Sequence, residues 1–128
     1  MTVTDTSVTP PSARQKIKTI QELAEISAKA RAEGKHVVLA HGAFDLLHLG
    51  HVRHLEKARQ LGDMLIVTVT ADTFINKGPG RPVFPEELRA EMLAALAYVE
   101  WAGINHEATA ENLLEAVKPS IYVKGSDY

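Results

Sequence analysis

His48 and His51 stand three residues apart around Gly50, in the segment His41-Gly42-Ala43-Phe44-Asp45-Leu46-Leu47-His48-Leu49-Gly50-His51. On a helix that spacing puts two imidazoles on one face. If the helix begins near Gly50, its first amides lack intrahelical partners and carry partial positive charge, which makes its start an anion site. Gly50 leaves space for a phosphate to touch backbone. Two imidazole donors aimed at a polyphosphate suit stabilisation of charge during phosphoryl transfer. Two plainer readings stand beside this one: histidines facing solvent at a helix start, and a zinc site in which His54 continues the three-residue spacing. No carboxylate repeats at ligand spacing, so no metal ligand is assigned.

The surrounding elements must place this segment. Thr19 with Glu22 is a capping-box pattern, and Ile20, Leu23, Ile26 and Ala30 follow at helical spacing up to Gly34, which predicts a helix near 20–33. Val37 to Ala40 is a short apolar run that reads as a buried strand. Val52, Leu55, Ala58 and Leu61 mark a second helix closed by Gly62, and Met64 to Val69 has the unbroken apolar character of a strand covered on both faces. Residues 76–85 hold two glycines and three prolines and form a surface loop. Pro85, Glu86 and Glu87 open a third helix with the stripe Leu88, Met92, Ala95 and Leu96. A third strand is expected over 98–102. A short helix over 111–117 follows behind a Thr109 cap, and a fourth strand covers 121–123. Such alternation argues for an open, mostly parallel α/β sheet with helices on both faces. Ligands of such sheets bind beyond the carboxyl ends of the strands, near the switch in strand order. Residues 41–51 and 124–128 lie there.

Composition narrows the classes. The 128 residues include 45% hydrophobic ones, too many for a chain disordered over most of its length. With 14 Lys+Arg against 16 Asp+Glu the net charge is −2, which argues against a dedicated nucleic-acid or membrane-surface binder. The chain has no cysteine, so disulfides, thiolate nucleophiles and Cys-held metals are excluded, and a reducing cytoplasm fits. No apolar run approaches the roughly 20 residues that span a bilayer. Residues 1–15 read as a flexible tail without a secretory pattern.

Gly42-Ala43-Phe44-Asp45 followed by His48-Leu49-Gly50-His51 resembles the GxFDxxHxGH signature of the cytidylyltransferase-like nucleotidyltransferases. Within that family the chain resembles the nucleotidyltransferase domain of bacterial ADP-heptose synthases. Shared with them in order are Leu61-Gly62-Asp63, Lys77-Gly78 with Arg81-Pro82-Val83, and Val123-Lys124-Gly125-Ser126-Asp127-Tyr128. The likeness covers about residues 16–128 and implies a Rossmann-like domain there, shortened at its carboxyl end. Relatives continue with another strand and an S/T-rich helix start.

The resemblance implies that a sugar or polyol phosphate attacks the α-phosphorus of an NTP and that pyrophosphate leaves. The favoured reaction is transfer of AMP from ATP to a sugar 1-phosphate, heptose 1-phosphate in particular. CMP transfer from CTP to glycerol 3-phosphate or a similar polyol phosphate is the alternative, and a non-catalytic nucleotide-binding module is a third. Mg²⁺ would accompany the triphosphate. His48, His51 and Lys77 would serve the phosphates. Gly42, Ala43, Phe44, Gly50, Gly125 and Asp127 would hold the nucleotide, and Asp45 and Arg89 the acceptor. A homodimer, with an apolar face from the Met92–Trp101 region, and a fused or partner sugar kinase domain are the macromolecular partners it implies. Other roles are open for several of these residues: a turn cap for Asp45, core packing for Phe44, a solvated loop position for Lys77, and an on-helix pair with Glu86 or Glu87 for Arg89. Asp72 would either approach Mg²⁺ or cap a turn. His41 and Ala43 depart from the residues usual at their positions, Asn, Thr or Tyr at the first and Cys or Thr at the second.

Overall fold

The computed structural model describes residues 12–75 and 78–125. Helix α1 spans Ile20–Ala32, α2 Leu49–Arg59, α3 Glu86–Ala94 and α4 Glu111–Val117; strands β1 to β4 span Val37–Gly42, Met64–Thr70, Trp101–Asn105 and Ile121–Lys124. They form one sheet in the order β3-β2-β1-β4. Every pairing is parallel: β1 with β2, β1 with β4, and β2 with β3.

Strand alternation divides the core in two. Val38, Ala40, Leu65, Val67 and Val69 turn to one side, where they meet Leu55 and Ala58 of α2 and Ala90, Leu93 and Ala94 of α3. Val37, Leu39 and Ile66 turn to the other, against Leu23 and Ala30 of α1 and Leu113 and Val117 of α4. Helices therefore cover both faces, which is why β1 and β2 read as continuous apolar runs. Each fully buried aliphatic side chain adds roughly 1.5–3 kcal/mol.

Local chemistry sets the element ends. The Thr19 hydroxyl accepts from Glu22 N–H, and Thr19 N–H donates to the Glu22 carboxylate, so the capping box closes as expected. Those bonds, the backbone one first, hold the Glu22 carboxyl below its ordinary range. Gly34, at φ 82°, ends α1 in the left-handed conformation that glycine takes without strain. Ser27 is buried and donates to the Val117 carbonyl at 2.6 Å, satisfying an orphan acceptor at the end of α4.

Three expectations are corrected. The third strand begins at Trp101 rather than at 98, because Leu96 to Val99 is a turn and Val99 N–H bonds the Leu96 carbonyl. Part of the expected tail is ordered: Ala13–Lys16 is a 3-10 turn, and Ile17 bridges to Ala102 along the outer edge of β3. The Thr109 cap expected for α4 does form: Ala110 holds the N-cap position, and the Thr109 hydroxyl just before it accepts from Glu111 N–H at 3.4 Å. Gly62 does not close α2 by a left-handed turn; a Cβ there would stand 2.7 Å from the His36 carbonyl oxygen, so close packing requires the glycine.

Candidate active site

The strand order changes direction at β1: β2 lies on one side of it and β4 on the other. The carboxyl ends of β1 and β4 are drawn together there. Gly125 N–H donates to the His41 carbonyl, and a Cβ on Gly125 would meet that oxygen at 2.8 Å and the Gly42 Cα at 2.9 Å. Gly42 and Gly125, both expected at the nucleotide, thus pack backbone against backbone. A Gly125→Ala change must push the strands apart, and overpacking of this kind costs about 1–3 kcal/mol. The expected result is a lower urea midpoint, checked by equilibrium unfolding.

Helix α2 starts beside this junction, with His48 as its N-cap. The two histidines hold each other in place through backbone. His48 Nδ1 accepts from Gly50 N–H at 3.0 Å, and His51 Nδ1 accepts from His48 N–H at 3.1 Å. Both Nδ1 atoms act as acceptors, so the proton of each neutral ring resides on Nε2. The rings lie 4.0 Å apart between centroids, tilted by 36°. His51 is buried and His48 exposed. At Gly50 a Cβ would stand 2.7 Å from the His48 ring, so glycine is what lets His48 fold back as a cap.

The loop between β1 and α2 is strained and braced. Phe44 is a non-glycine residue at φ 47°. Such a conformation costs of order 1–3 kcal/mol and persists only where surroundings impose it. Three contacts impose it. The Phe44 ring is buried in the core and meets the His51 ring edge-on at 5.5 Å. Before it, the Ala43 carbonyl accepts from Arg89 Nη1 at 2.7 Å. After it, the buried Asp45 carboxylate accepts from Arg81 Nη1 at 2.9 Å and from Val83 N–H at 2.7 Å.

Arg89 and Asp45 are therefore placed otherwise than expected. The Arg89 side chain is 0% exposed and presents no surface to an acceptor phosphate. Its guanidinium also donates to the carbonyls of Phe84 and Thr70 and to Asp72 Oδ1 at 2.6 Å. It joins the β1–α2 loop, the end of β2 and the entry of α3, and among the described residues its ion-pair partner is Asp72 rather than Glu86 or Glu87. Asp45 ties the loop before α3 to the histidine segment. Asp72 is a partner of Arg89, and its own N–H bonds Glu86 Oε1. Lys77 and Asp127 lie outside the described residues.

His41, at the end of β1, was not assigned a role by its sequence position. Its Nδ1 lies 2.9 Å from the hydroxyl of buried Thr68. Burial lowers its pKa below the ordinary 6.5, against a smaller opposing pull from a hydrogen bond to the Thr68 backbone. The unfolded chain then takes up this proton first as pH falls. Stability from His41 is constant above about pH 6.5 and declines below it, until the folded-state ring also protonates. Urea midpoints should fall between about pH 7.5 and 5.5, and the fall should be smaller in His41→Asn.

Comparison with known proteins fits this geometry. The cytidylyltransferase-like family model matches residues 39–128. The chain belongs to the cytidylyltransferase-like family. It is 44% identical over 115 residues to the bifunctional protein HldE of Geobacter sulfurreducens, covering 88% of this chain and 24% of that protein. It is 46% identical over 114 residues to HldE of Pseudomonas fluorescens, again covering 88% of the chain and 24% of the relative. The chain thus spans about a quarter of the length of these curated relatives. Among solved structures, the lipopolysaccharide core biosynthesis protein from Thermoplasma volcanium matches with a TM-score of 0.64 and 36% identity, over 70% of this chain and 73% of that one. The resemblance carried by the motifs is borne out.

The family membership raises the question of Mg²⁺. The donor set does not fit a resident cation: Asp45, Asp72 and Glu86 already serve the partners named above, and no group of three His, Cys, Asp or Glu able to hold a metal occurs among the described residues. Among the described residues no helix is long and apolar enough to cross a membrane.

Proposed function

We propose that this chain is a nucleotidyltransferase domain that transfers AMP from ATP to a sugar 1-phosphate, heptose 1-phosphate in particular, with release of pyrophosphate. The observation that carries the reading is the pair His48–His51, locked at the start of α2 where the sheet changes direction. A phosphate oxygen of the acceptor attacks the α-phosphorus in line. A new P–O bond forms, the bond to the bridging oxygen of the β-phosphate breaks, and the electron pair leaves with pyrophosphate. No protein nucleophile is needed, so catalysis is positioning and charge stabilisation.

In this reading the Nε2–H groups of His48 and His51 face the charge that grows on the phosphates. Both rings donate while neutral, and their orientation is set before substrate arrives, so little reorganisation accompanies the reaction. Gly42, Ala43, Phe44, Gly50 and Gly125 form the nucleotide cradle, and the family resemblance assigns Asp127 to the nucleotide and Lys77 to the phosphates. Arg89 and Asp45 act as positioning residues that keep the Phe44 loop in its strained form. The name of the relatives says that they are bifunctional, and the chain covers about 24% of their length. The remaining portion would house a sugar kinase that supplies the 1-phosphate.

CMP transfer from CTP to a polyol phosphate is the second reading, favoured by the description of the matching family model. Calorimetric titration of ATP and of CTP with Mg²⁺, followed by pyrophosphate release with heptose 1-phosphate or glycerol 3-phosphate, separates the two. Preference for ATP and heptose 1-phosphate supports the first reading; preference for CTP and glycerol 3-phosphate replaces it. Nucleotide binding without pyrophosphate release, in a chain extended past Tyr128 as well, would make this a binding module.

A further inference from the structure

At the amino ends of β2 and β3, away from the histidine pair, the surface holds a cavity of about 580 Å³, a size in the range of ligand sites. Its apolar lining comes from Met64, Ala97, Val99 and Trp101, and Lys16 and Lys18 line it beside them. The Lys18 ammonium stands 5.5 Å from the centre of the Trp101 ring. Lys16 Nζ donates to the Val99 carbonyl at 3.0 Å. One acidic residue also lines the cavity, Glu100, and its charge is already used: Oε1 accepts from Arg59 Nε at 2.8 Å and Oε2 from Leu65 N–H at 2.7 Å. The local balance is therefore positive although the whole chain is at −2. The lysines sit on fixed backbone, because Lys18 N–H bonds the Ala102 carbonyl and Ile17 bridges to the same residue.

We infer that this cavity is a second ligand site, for a small planar anion such as an aromatic carboxylate. The carboxylate pairs with the Lys18 ammonium, and the aromatic body lies on the indole and the apolar lining. Charge complementarity selects an anion, and the apolar lining with the Trp101 indole selects an aromatic body over a hydrated inorganic one. The site is at the opposite end of the strands from the proposed nucleotide cradle, so both ligands fit at once.

Trp101 is the only tryptophan of the chain, so one indole N–H resonance reports on the cavity directly. Titration of the ¹⁵N-labelled chain with 1-naphthoate should move that resonance saturably. The uncharged 1-naphthalenemethanol should bind more weakly. Lys18→Met, which keeps the apolar stem and deletes the charge, should weaken naphthoate binding about threefold or more, and the effect should shrink at high salt. A His48→Ala variant should bind naphthoate as the parent does, whatever becomes of nucleotide binding. No saturable shift, or equal binding of the neutral compound and by Lys18→Met, would overturn the inference.

Discussion

Changing His51 to asparagine is expected to remove most pyrophosphate release while leaving the domain folded. The amide oxygen of asparagine can stand where Nδ1 does and accept the His48 N–H, so the cap survives. Nothing then takes the place of Nε2. Loss of one such donor typically lowers turnover by about 10² to 10³-fold. His51→Gln is the complementary change. Its amide nitrogen can reach toward the Nε2 position, but the cap bond is lost, at about 0.5–2 kcal/mol. It should be less stable and more active than His51→Asn. Melting temperature and pyrophosphate release, measured side by side on both variants, check this crossed pattern. If His51→Asn turned over at the parent rate, His51 would have only a structural role and the proposed chemistry would fail.

The second large effect concerns Arg89. Replacing it with methionine removes one guanidinium and leaves the carbonyls of Ala43, Thr70 and Phe84 and the Asp72 carboxylate without their donor. The Asp72 carboxylate is 37% exposed and can be solvated, so the cost lies mainly in the three carbonyls, about 1–3 kcal/mol for each buried acceptor left unserved. In a chain of this size that corresponds to a fall in melting temperature of about 10 °C or more. Arg89→Lys should recover little, since a single ammonium cannot serve carbonyls on three elements at once. Combining Arg89→Met with Asp72→Asn should be less damaging than the sum of the two changes, because either change alone already removes the Arg89–Asp72 pair. Urea unfolding of the four proteins in this cycle measures the coupling. Additive losses would show that Arg89 acts through packing alone.

Much of the fold was legible because it rests on local signals. The Thr19–Glu22 box, the Gly34 stop and the Pro85-Glu-Glu start are each written within a few residues. The apolar runs of β1 and β2 declare strands covered on both faces. The third strand was misplaced because Tyr98 and Val99 are as apolar as a strand requires, while what turns the chain there is long-range. Lys16 caps the Val99 carbonyl, and Glu100 reaches back to Arg59 and Leu65 N–H. The histidine pair was visible through spacing and motif. The bracing around it was not, since Arg89 meets Ala43 across 46 positions and Asp45 meets Val83 across 38. Spacing on the helix suggested near neighbours for Arg89, whereas its partners are carbonyls, which every residue has and no sequence marks. The left-handed Phe44 was hidden for the same reason: an aromatic residue carries no local preference for that conformation.

The caps on α2 also make the helix start a gauge of its own. The amides of His48 and Gly50 are held by imidazole nitrogens instead of backbone carbonyls. Their exchange with solvent deuterium is thus tied to where the rings sit. A bound triphosphate that tightens the rings should slow exchange at these two amides, and one that draws the rings aside should quicken it. Position changes at the two histidines can in this way be followed residue by residue before any turnover occurs.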